Sequence, residues 1–276
     1  MPAIGFLAIF SFLPLAVTLV FSVLRYRLLA PRIPAFCGFQ NFLRLFSDTQ
    51  FLESVVHTSE IVITVITLSV LGGLILAFLL NHEMPGKRLI RMLVISPFFI
   101  IPTVGALIWK NLLLDPAGGV ISTLFKQLGM MPIDTFAVMP MAMVILIVLW
   151  QWLPFATLIL LTSLQSLDTD QLEAASLDGA KGLDCLYHIT LPHLLRPMTI
   201  VILMELLYLL AIFAEVLVTT AGGPGSKTTN LTYYIYSKAL LEFNVGAASA
   251  AGLLAVVLAN IITLVMSKPI KRSVGL

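Results

Sequence analysis

Residues 166–180 read Ser166-Leu-Asp-Thr-Asp-Gln-Leu-Glu-Ala-Ala-Ser-Leu-Asp-Gly-Ala180. Asp168 or Asp170 can cap a helix start, and Asp170 with Glu173 has the spacing of a capping box. Leu172, Ala175 and Leu177 give a short apolar stripe. Gly179 suits the left-handed residue that ends a helix. The expectation is a short capped helix with a small-residue face, then a turn. A second helical piece should run from about Leu183 and end near Pro192. The segment 165–197 also gathers Asp168, Asp170, Glu173, Asp178 and Asp184 in a chain that is otherwise poor in acids.

What lies on either side of this polar segment is very different. Of the 276 residues, 59% are hydrophobic and only 11% charged, and the mean hydropathy is +1.03. A soluble domain runs about 45–50% apolar and about 25% charged. This chain lacks the polar surface to cover a globular core and is read as an all-α integral membrane protein. A helix needs roughly 20 apolar residues to cross about 30 Å of hydrocarbon. Six stretches qualify, near 3–24, 58–80, 89–110, 137–164, 198–220 and 246–266. They form one membrane domain over 1–276, with prolines 14, 97, 102, 140 and 154 inside spans, tolerated where neighbours re-satisfy the backbone. The first stretch has no basic lead and no small-residue cleavage site, so it reads as a retained span rather than a signal peptide.

Six spans put both termini on one side, but charge does not say which. With termini inside, Lys87, Arg88, Arg91, Lys181, Arg196, Lys268, Lys271 and Arg272 lie inside. Arg25, Arg27, Arg32, Arg44, Lys110, Lys126, Lys227 and Lys238 lie outside. The two sets balance, and the positive-inside rule is mute. A net charge of +2 is no nucleic-acid footprint. Cys37 and Cys185 stand far apart, the four histidines have no metal spacing, and no nucleophile–base pair is visible, so no catalytic residue, metal or cofactor is implied.

Small side chains on an exposed helix let another surface approach closely, and Glu173 adds one orienting charge; an ordinary amphipathic connector would look similar. Here a resemblance adds to the residues. Glu173-Ala-Ala-Ser-Leu-Asp-Gly-Ala180, followed by Ile189-Thr-Leu-Pro192, resembles the EAA loop of importer-type ABC permeases. Gly222-Gly-Pro224, Tyr233-Tyr-Ile-Tyr236, Gly38-Phe-Gln-Asn-Phe42 and Phe51-Leu-Glu53 resemble the carbohydrate-uptake, maltose-type branch. Phe213-Ala-Glu-Val-Leu-Val-Thr-Thr-Ala-Gly-Gly-Pro-Gly225, with Trp150-Gln-Trp-Leu-Pro154, is most similar to sorbitol/mannitol permeases.

The resemblance implies a type I ABC importer permease fold in the bacterial inner membrane. Glu173, Ala174, Ala175, Asp178 and Gly179 would form the cytoplasmic coupling helix that docks on an ATPase subunit dimer, and ATP would be hydrolysed there, not in this chain. It implies cytoplasmic termini, with loops 25–57, 111–136 and 221–245 facing a periplasmic solute-binding protein, and a second permease subunit as partner. Carried over by position, its substrate-contacting places fall on Val148, Gln151, Trp152, Phe155, Glu205, Tyr208, Leu209 and Ile212. The family's polar residues at several of these are Leu or Ile here, which argues against a disaccharide; a carboxylate such as Glu205 can accept from two adjacent hydroxyls, which would suit a linear polyol.

Ionisable groups inside a span are functional candidates. If the fifth span is one helix, Glu205, Tyr208, Ile212, Glu215 and Thr219 share an arc of about 80°. That stripe faces substrate, or else packs, with each acid paired to Ser, Asn or backbone. Gln151, Trp152 and Phe155 offer an aromatic face and a hydrogen-bonding group, which suits a sugar or polyol; Asn260 is a further polar candidate, for gating or packing. Ala221-Gly-Gly-Pro-Gly-Ser-Lys-Thr228 looks like a phosphate-binding loop, but Ser226 stands where a P-loop has Gly before its Lys, and it follows a membrane helix rather than a strand. It reads as a helix-ending turn. Rival classes are an ion-coupled secondary transporter with Glu205 and Glu215 as proton carriers, an intramembrane enzyme, and an ABC permease for an amino acid or osmolyte.

Overall fold

The computed structural model describes residues 2–29 and 34–274. Arg32, counted above, lies outside them, as do the side chains of Lys268, Lys271 and Arg272. The chain is helical almost throughout. In order come α1 (Pro2–Ser22), a two-residue ribbon of β1 (Leu24–Arg25) and β2 (Ala35–Phe36), α2 (Gln40–Phe46), α3 (Thr49–Asn81), α4 (Lys87–Ile95) and α5 (Pro102–Leu107). Then follow α6 (Val120–Gln127), α7 (Thr135–Val138), α8 (Pro140–Gln165), α9 (Thr169–Leu177), α10 (Gly182–Cys185), α11 (Leu191–Leu209), α12 (Ala214–Thr219), α13 (Leu231–Tyr236) and α14 (Val245–Val274). The small antiparallel ribbon, with Leu24 opposite Phe36 and Arg25 opposite Ala35, is the one departure from an all-helical reading among the described residues.

Four helices are long and apolar enough to cross a membrane: 49–81, 140–165, 182–209 and 245–264. A fifth candidate is a bent pair, 87–99 and 102–113, with 103° between its limbs. The stretch 89–110 is therefore not one straight rod. Pro97 begins a tight 3-10 turn over Ser96–Phe99, Ile100 is extended (φ −80°, ψ 129°), and Pro102 opens α5. Two prolines five residues apart each remove an amide donor, and the chain bends between them.

The chain divides into two compact units, 1–60 with 210–262 and 61–209 with 263–276. In the second unit α8 packs along α11 and against the turn at 96–99. Ala77, Leu80, Leu160 and Leu161 form a buried cluster under Leu74, Val94 and Met198. In lipid there is little hydrophobic gain in bringing helices together, so close backbone approach has to do more. Gly72 and Gly73 provide it. A Cβ on Gly73 would stand 2.8 Å from the Ala156 Cβ and 3.0 Å from the Thr157 amide nitrogen, and one on Gly72 would stand 2.8 Å from Leu153.

In the first unit Leu45, Phe51, Leu231, Tyr234, Ala250 and Ala251 form the core. Its polar girdle runs along α3 and α13. The Tyr234 hydroxyl donates to Asp48 Oδ2 at 2.7 Å, and Lys238 Nζ lies 3.3 Å from the same oxygen and 2.9 Å from Glu242. Burial pushes the Asp48 carboxyl up, but the Tyr234 hydrogen bond and the Lys238 ammonium outweigh it and hold its pKa below the usual 3.8. Asn41 Nδ2 donates to the carbonyls of Ser22 and Leu24 and fixes α2 to the end of α1.

Two predictions follow from this packing. Gly73→Leu should lower thermal stability in detergent by about 1–3 kcal/mol, the scale of overpacking, while Gly252→Ala, where an added Cβ meets open space in a helix, should not match it. Tyr234→Phe should cost about 1 kcal/mol at neutral pH after solvent screening. Because the folded Asp48 pKa is depressed, that contribution is full above pH 3.8 and is lost as pH falls through the lower folded value. The wild-type and Tyr234→Phe unfolding curves should therefore converge in strong acid.

Candidate functional site

The segment after α8 folds as a free-standing helix. Asp168 caps α9, its Oδ1 accepting from the Asp170 amide at 3.0 Å. Of the two caps the sequence allows, Asp168 is therefore used. Asp170 lies inside the first turn, where its charge suits the positive end of the helix, and no Asp170–Glu173 capping box forms. Gly179 adopts φ +86°. Its amide bonds the Ser176 carbonyl at 3.1 Å, and the Ala180 amide reaches back to Ala175 at 3.0 Å. This pair is a Schellman ending, which needs a left-handed residue at that place. Glu173, Ala174, Asp178 and Gly179 are exposed, Ala175 is half-buried, and Leu177 is 89% exposed. Little of this helix is covered by its own chain.

The return differs from expectation. The second helical piece does not end near Pro192. α10 widens into a π-helical stretch over Leu186–Thr190 and runs directly into α11. A wide turn just before a proline absorbs the missing amide and the ring, so the helix continues. His193 is half-buried, with Nε2 3.0 Å from the Ser163 carbonyl and 3.4 Å from Ser166 Oγ. It ties the start of α11 to the loose carbonyl end of α8, leaving α9 as a loop helix between anchored ends. His188 is exposed.

Deeper in the same unit lies an aromatic cluster. Trp152 and Tyr208 have ring centroids 4.4 Å apart, and Trp152 and Phe155 5.5 Å. Phe98 stacks on Phe155 at 5.5 Å and meets Trp152 edge-on at 5.7 Å. The structure thus brings Trp152, Phe155 and Tyr208 together, and adds Phe98, which the sequence reading missed. The available signal was its place between Pro97 and Pro102, where a break aims side chains out of helical register.

Beside the same break, Gln151 is 4% exposed. Its Nε2 reaches the Ile100 carbonyl at 3.4 Å, and its Oε1 is buried without a partner. Val148, Leu209 and Ile212, carried over by position above, are buried.

Glu205 is fully buried, and both carboxylate oxygens lie close to Ser69 Oγ, at 2.5 and 2.6 Å. Ser69 is fully buried as well. This is the packing alternative raised from the sequence, with Ser69 on α3 as the partner.

The shared stripe of Glu205, Tyr208, Ile212, Glu215 and Thr219 does not exist as drawn, because the helix stops at Leu209 and resumes at Ala214. In the first unit, Asn230 Nδ2 donates to the freed Ile212 carbonyl at 2.6 Å, and Thr232 Oγ1 to Leu210 at 3.4 Å. Asn230 also caps α13, accepting from the Tyr233 amide at 2.9 Å. Glu215 is buried in that unit, and its carbonyl accepts from Thr219 Oγ1. Asn260 is exposed and bonds back to Val256 of its own helix.

The loop Ala221–Thr228 is a folded turn. Gly222 (φ +79°) accepts at its carbonyl from Thr228 N and Thr229 Oγ1, and Thr228 Oγ1 donates to Thr220 Oγ1 or the Gly223 carbonyl. Ser226 Oγ donates to the Glu53 carboxylate at 2.6 Å. A fixed carboxylate repels phosphate oxygens, so this arrangement opposes an ATP site.

This architecture is that of a type I ABC importer permease. A family model for the binding-protein-dependent transport system inner membrane component matches residues 69–275. The chain belongs to that family and is an inner-membrane component of such a system. It is 32% identical over 252 residues, 91% of this chain and 81% of the relative, to the probable ABC transporter permease protein y4oQ of Sinorhizobium fredii. It is 30% identical over 277 residues, 97% of this chain and 90% of the relative, to the trehalose/maltose transport system permease protein MalF of Thermococcus litoralis. A chain of a bacterial ABC transporter that imports the acidic polysaccharide alginate superposes with a TM-score of 0.83. It covers 99% of this chain and 93% of that one at 22% identity.

Ser69→Ala should leave Glu205 buried without its hydroxyl and cost about 2–3 kcal/mol of stability. Glu205→Gln, which keeps the shape and a hydrogen-bonding group, should cost less. Thermal melts of the two purified variants check the order.

Proposed function

We propose that this chain is the translocating subunit of an ATP-driven importer for a carbohydrate, in particular a polyol such as sorbitol or mannitol. It works as one membrane domain with six crossings, counting α1, the bent pair and the broken 191–219 stretch as one each. The observation that carries the transport mechanism is α9: a helix closed at both ends by local caps, exposed at Glu173, Ala174 and Leu177, and held between α8 and the π-widened start of α11. A short, locally capped helix tied at its base transmits force. Glu173, Ala174, Ala175, Asp178 and Gly179 dock it in a separate ATPase subunit dimer, which places this loop and both termini in the cytoplasm. Loops 25–57, 111–136 and 221–245 then face the periplasmic binding protein, and a second permease subunit completes the pathway.

The polyol reading rests on the aromatic cluster and on the unpartnered Gln151 Oε1. Aromatic faces take C–H surfaces, and one buried acceptor serves a hydroxyl; sites of this kind are mostly apolar with a few placed polar groups. Few such groups suit a small linear cargo better than a long oligosaccharide. Gln151, Trp152, Phe155 and Tyr208 touch cargo. Glu205, locked to Ser69, shapes the wall behind Tyr208, and Glu215 lies along the route toward the periplasm. The trehalose/maltose relative and the alginate importer support a carbohydrate cargo in general.

The test is uptake by the complete transporter with its binding protein in proteoliposomes. Labelled sorbitol or mannitol should enter only with ATP. Entry of maltose alone would remove the polyol and leave the importer. Uptake driven by a proton gradient without the ATPase would overturn both. Glu173→Lys should cut cargo-stimulated ATPase roughly ten-fold, the scale of losing one docking hot spot of about 1.4 kcal/mol. Trp152→Ala should lower uptake while ATPase assembly persists.

A further inference from the structure

We propose that the groove at the start of α4 is a binding site for the headgroup of an anionic phospholipid. It is a cavity of about 810 Å³ lined by Glu83, Lys87, Arg88, Arg91, Met92, Ile95, Ser96, Phe99 and Gln165. Its charge is unbalanced, three cations against one carboxylate. Glu83 is engaged with Lys87 at 2.8 Å. Lys87 also donates to the Asn81 carbonyl, and Arg91 Nη2 to the Leu80 carbonyl, both at 3.1 Å. The remaining donors are uncommitted in part: Arg91 Nε is buried and has no partner.

The position of these cations is costly by itself. Lys87, Arg88 and Arg91 occupy the first five residues of a nine-residue helix whose start no side chain caps. The N-terminus of a helix carries the positive end of its dipole and favours anions. A bound phosphate diester offsets both the dipole and the crowded cations, and accepts from the exposed Arg88 guanidinium.

The apolar half of the groove selects a lipid over a soluble ion. Arg88, Met92 and Ile95 follow at three- and four-residue intervals along α4 and form one stripe, and Phe99 of the turn that follows lines the same cavity. Along it the cationic end passes into an apolar end where Met92 is 64% and Phe99 75% exposed. Charge followed by an open apolar strip has the polarity of a headgroup followed by an acyl chain. Basic pockets between membrane helices bind such headgroups. The groove shares Glu83, Lys87 and Gln165 with a second cavity, lined also by Leu172 of α9 and Thr190.

This inference rests on the inner-membrane placement and not on the cargo, so a failed polyol-uptake experiment leaves it standing. The assembled transporter, with its second permease and ATPase subunits, is placed in nanodiscs of phosphatidylcholine with added phosphatidylglycerol, and retained lipid is counted by native mass spectrometry. Wild type should keep phosphatidylglycerol in preference. Arg88→Gln, which removes an exposed cation, should weaken retention about five-fold, the value of one charge near an anionic surface. Arg91→Gln should weaken it at least as much, and Lys227→Gln, an exposed cation in the other compact unit, should change nothing. Equal retention of both lipids by wild type, no effect of Arg88→Gln, or displacement of phosphatidylglycerol by inorganic phosphate would each overturn the proposal. So would crosslinks showing Met92 and Phe99 covered by the second permease subunit.

Discussion

A carbonyl released from a helix inside a bilayer finds no water, and leaving it bare costs several kcal/mol. Much of this chain's architecture answers that single demand. Where the helix breaks after Phe99, Gln151 comes from α8 to meet the Ile100 carbonyl. Where it breaks after Leu209, Asn230 meets the Ile212 carbonyl. Lys87 and Arg91 cover the last carbonyls of α3, and His193 covers the end of α8. Each is a long or forked polar side chain from another element, so satisfying the backbone and fixing the tertiary arrangement are one event. One break also shapes the aromatic cluster: the bend between Pro97 and Pro102 sets Phe98 against Trp152 and Phe155.

Gln151 stands at the meeting point of these two roles. One end of its amide holds a broken helix, and the other is a buried acceptor with nothing to accept. Gly105 sits so close that a Cβ there would stand 2.8 Å from Gln151 Nε2. The amide is thus fixed from two sides, and the direction of Oε1 is set by the fold itself. Preorganisation of this sort reduces the ordering cost of binding.

What could be read from the sequence was local. The α9 cap at Asp168, its end at Gly179 and the exposed face around Glu173 follow from residues within about ten positions of one another, where capping rules act. The apolar stretches were plain for the same reason. The breaks at 100–101 and 210–213 were not, because their stabilising groups, Gln151 and Asn230, are remote in sequence or belong to a different element. Treating 198–220 as one rod then produced a polar stripe spanning a gap that the helix does not cross. The partner of Glu205 was foreseen in kind, as a serine, asparagine or carbonyl, but Ser69 is more than a hundred residues away. Pro192 was read as a stop because the rule for proline holds for an α-turn and not for the π-turn that precedes it here.

Leu177 is 89% exposed, Leu183 68% and Tyr187 64%, at the end of α9 and along the start of the helix that follows. Such a greasy knob is harmless only while something sits on it. Left bare, side chains of this size invite aggregation and proteolysis, so the same short segment that favours a covering partner penalises an uncovered chain.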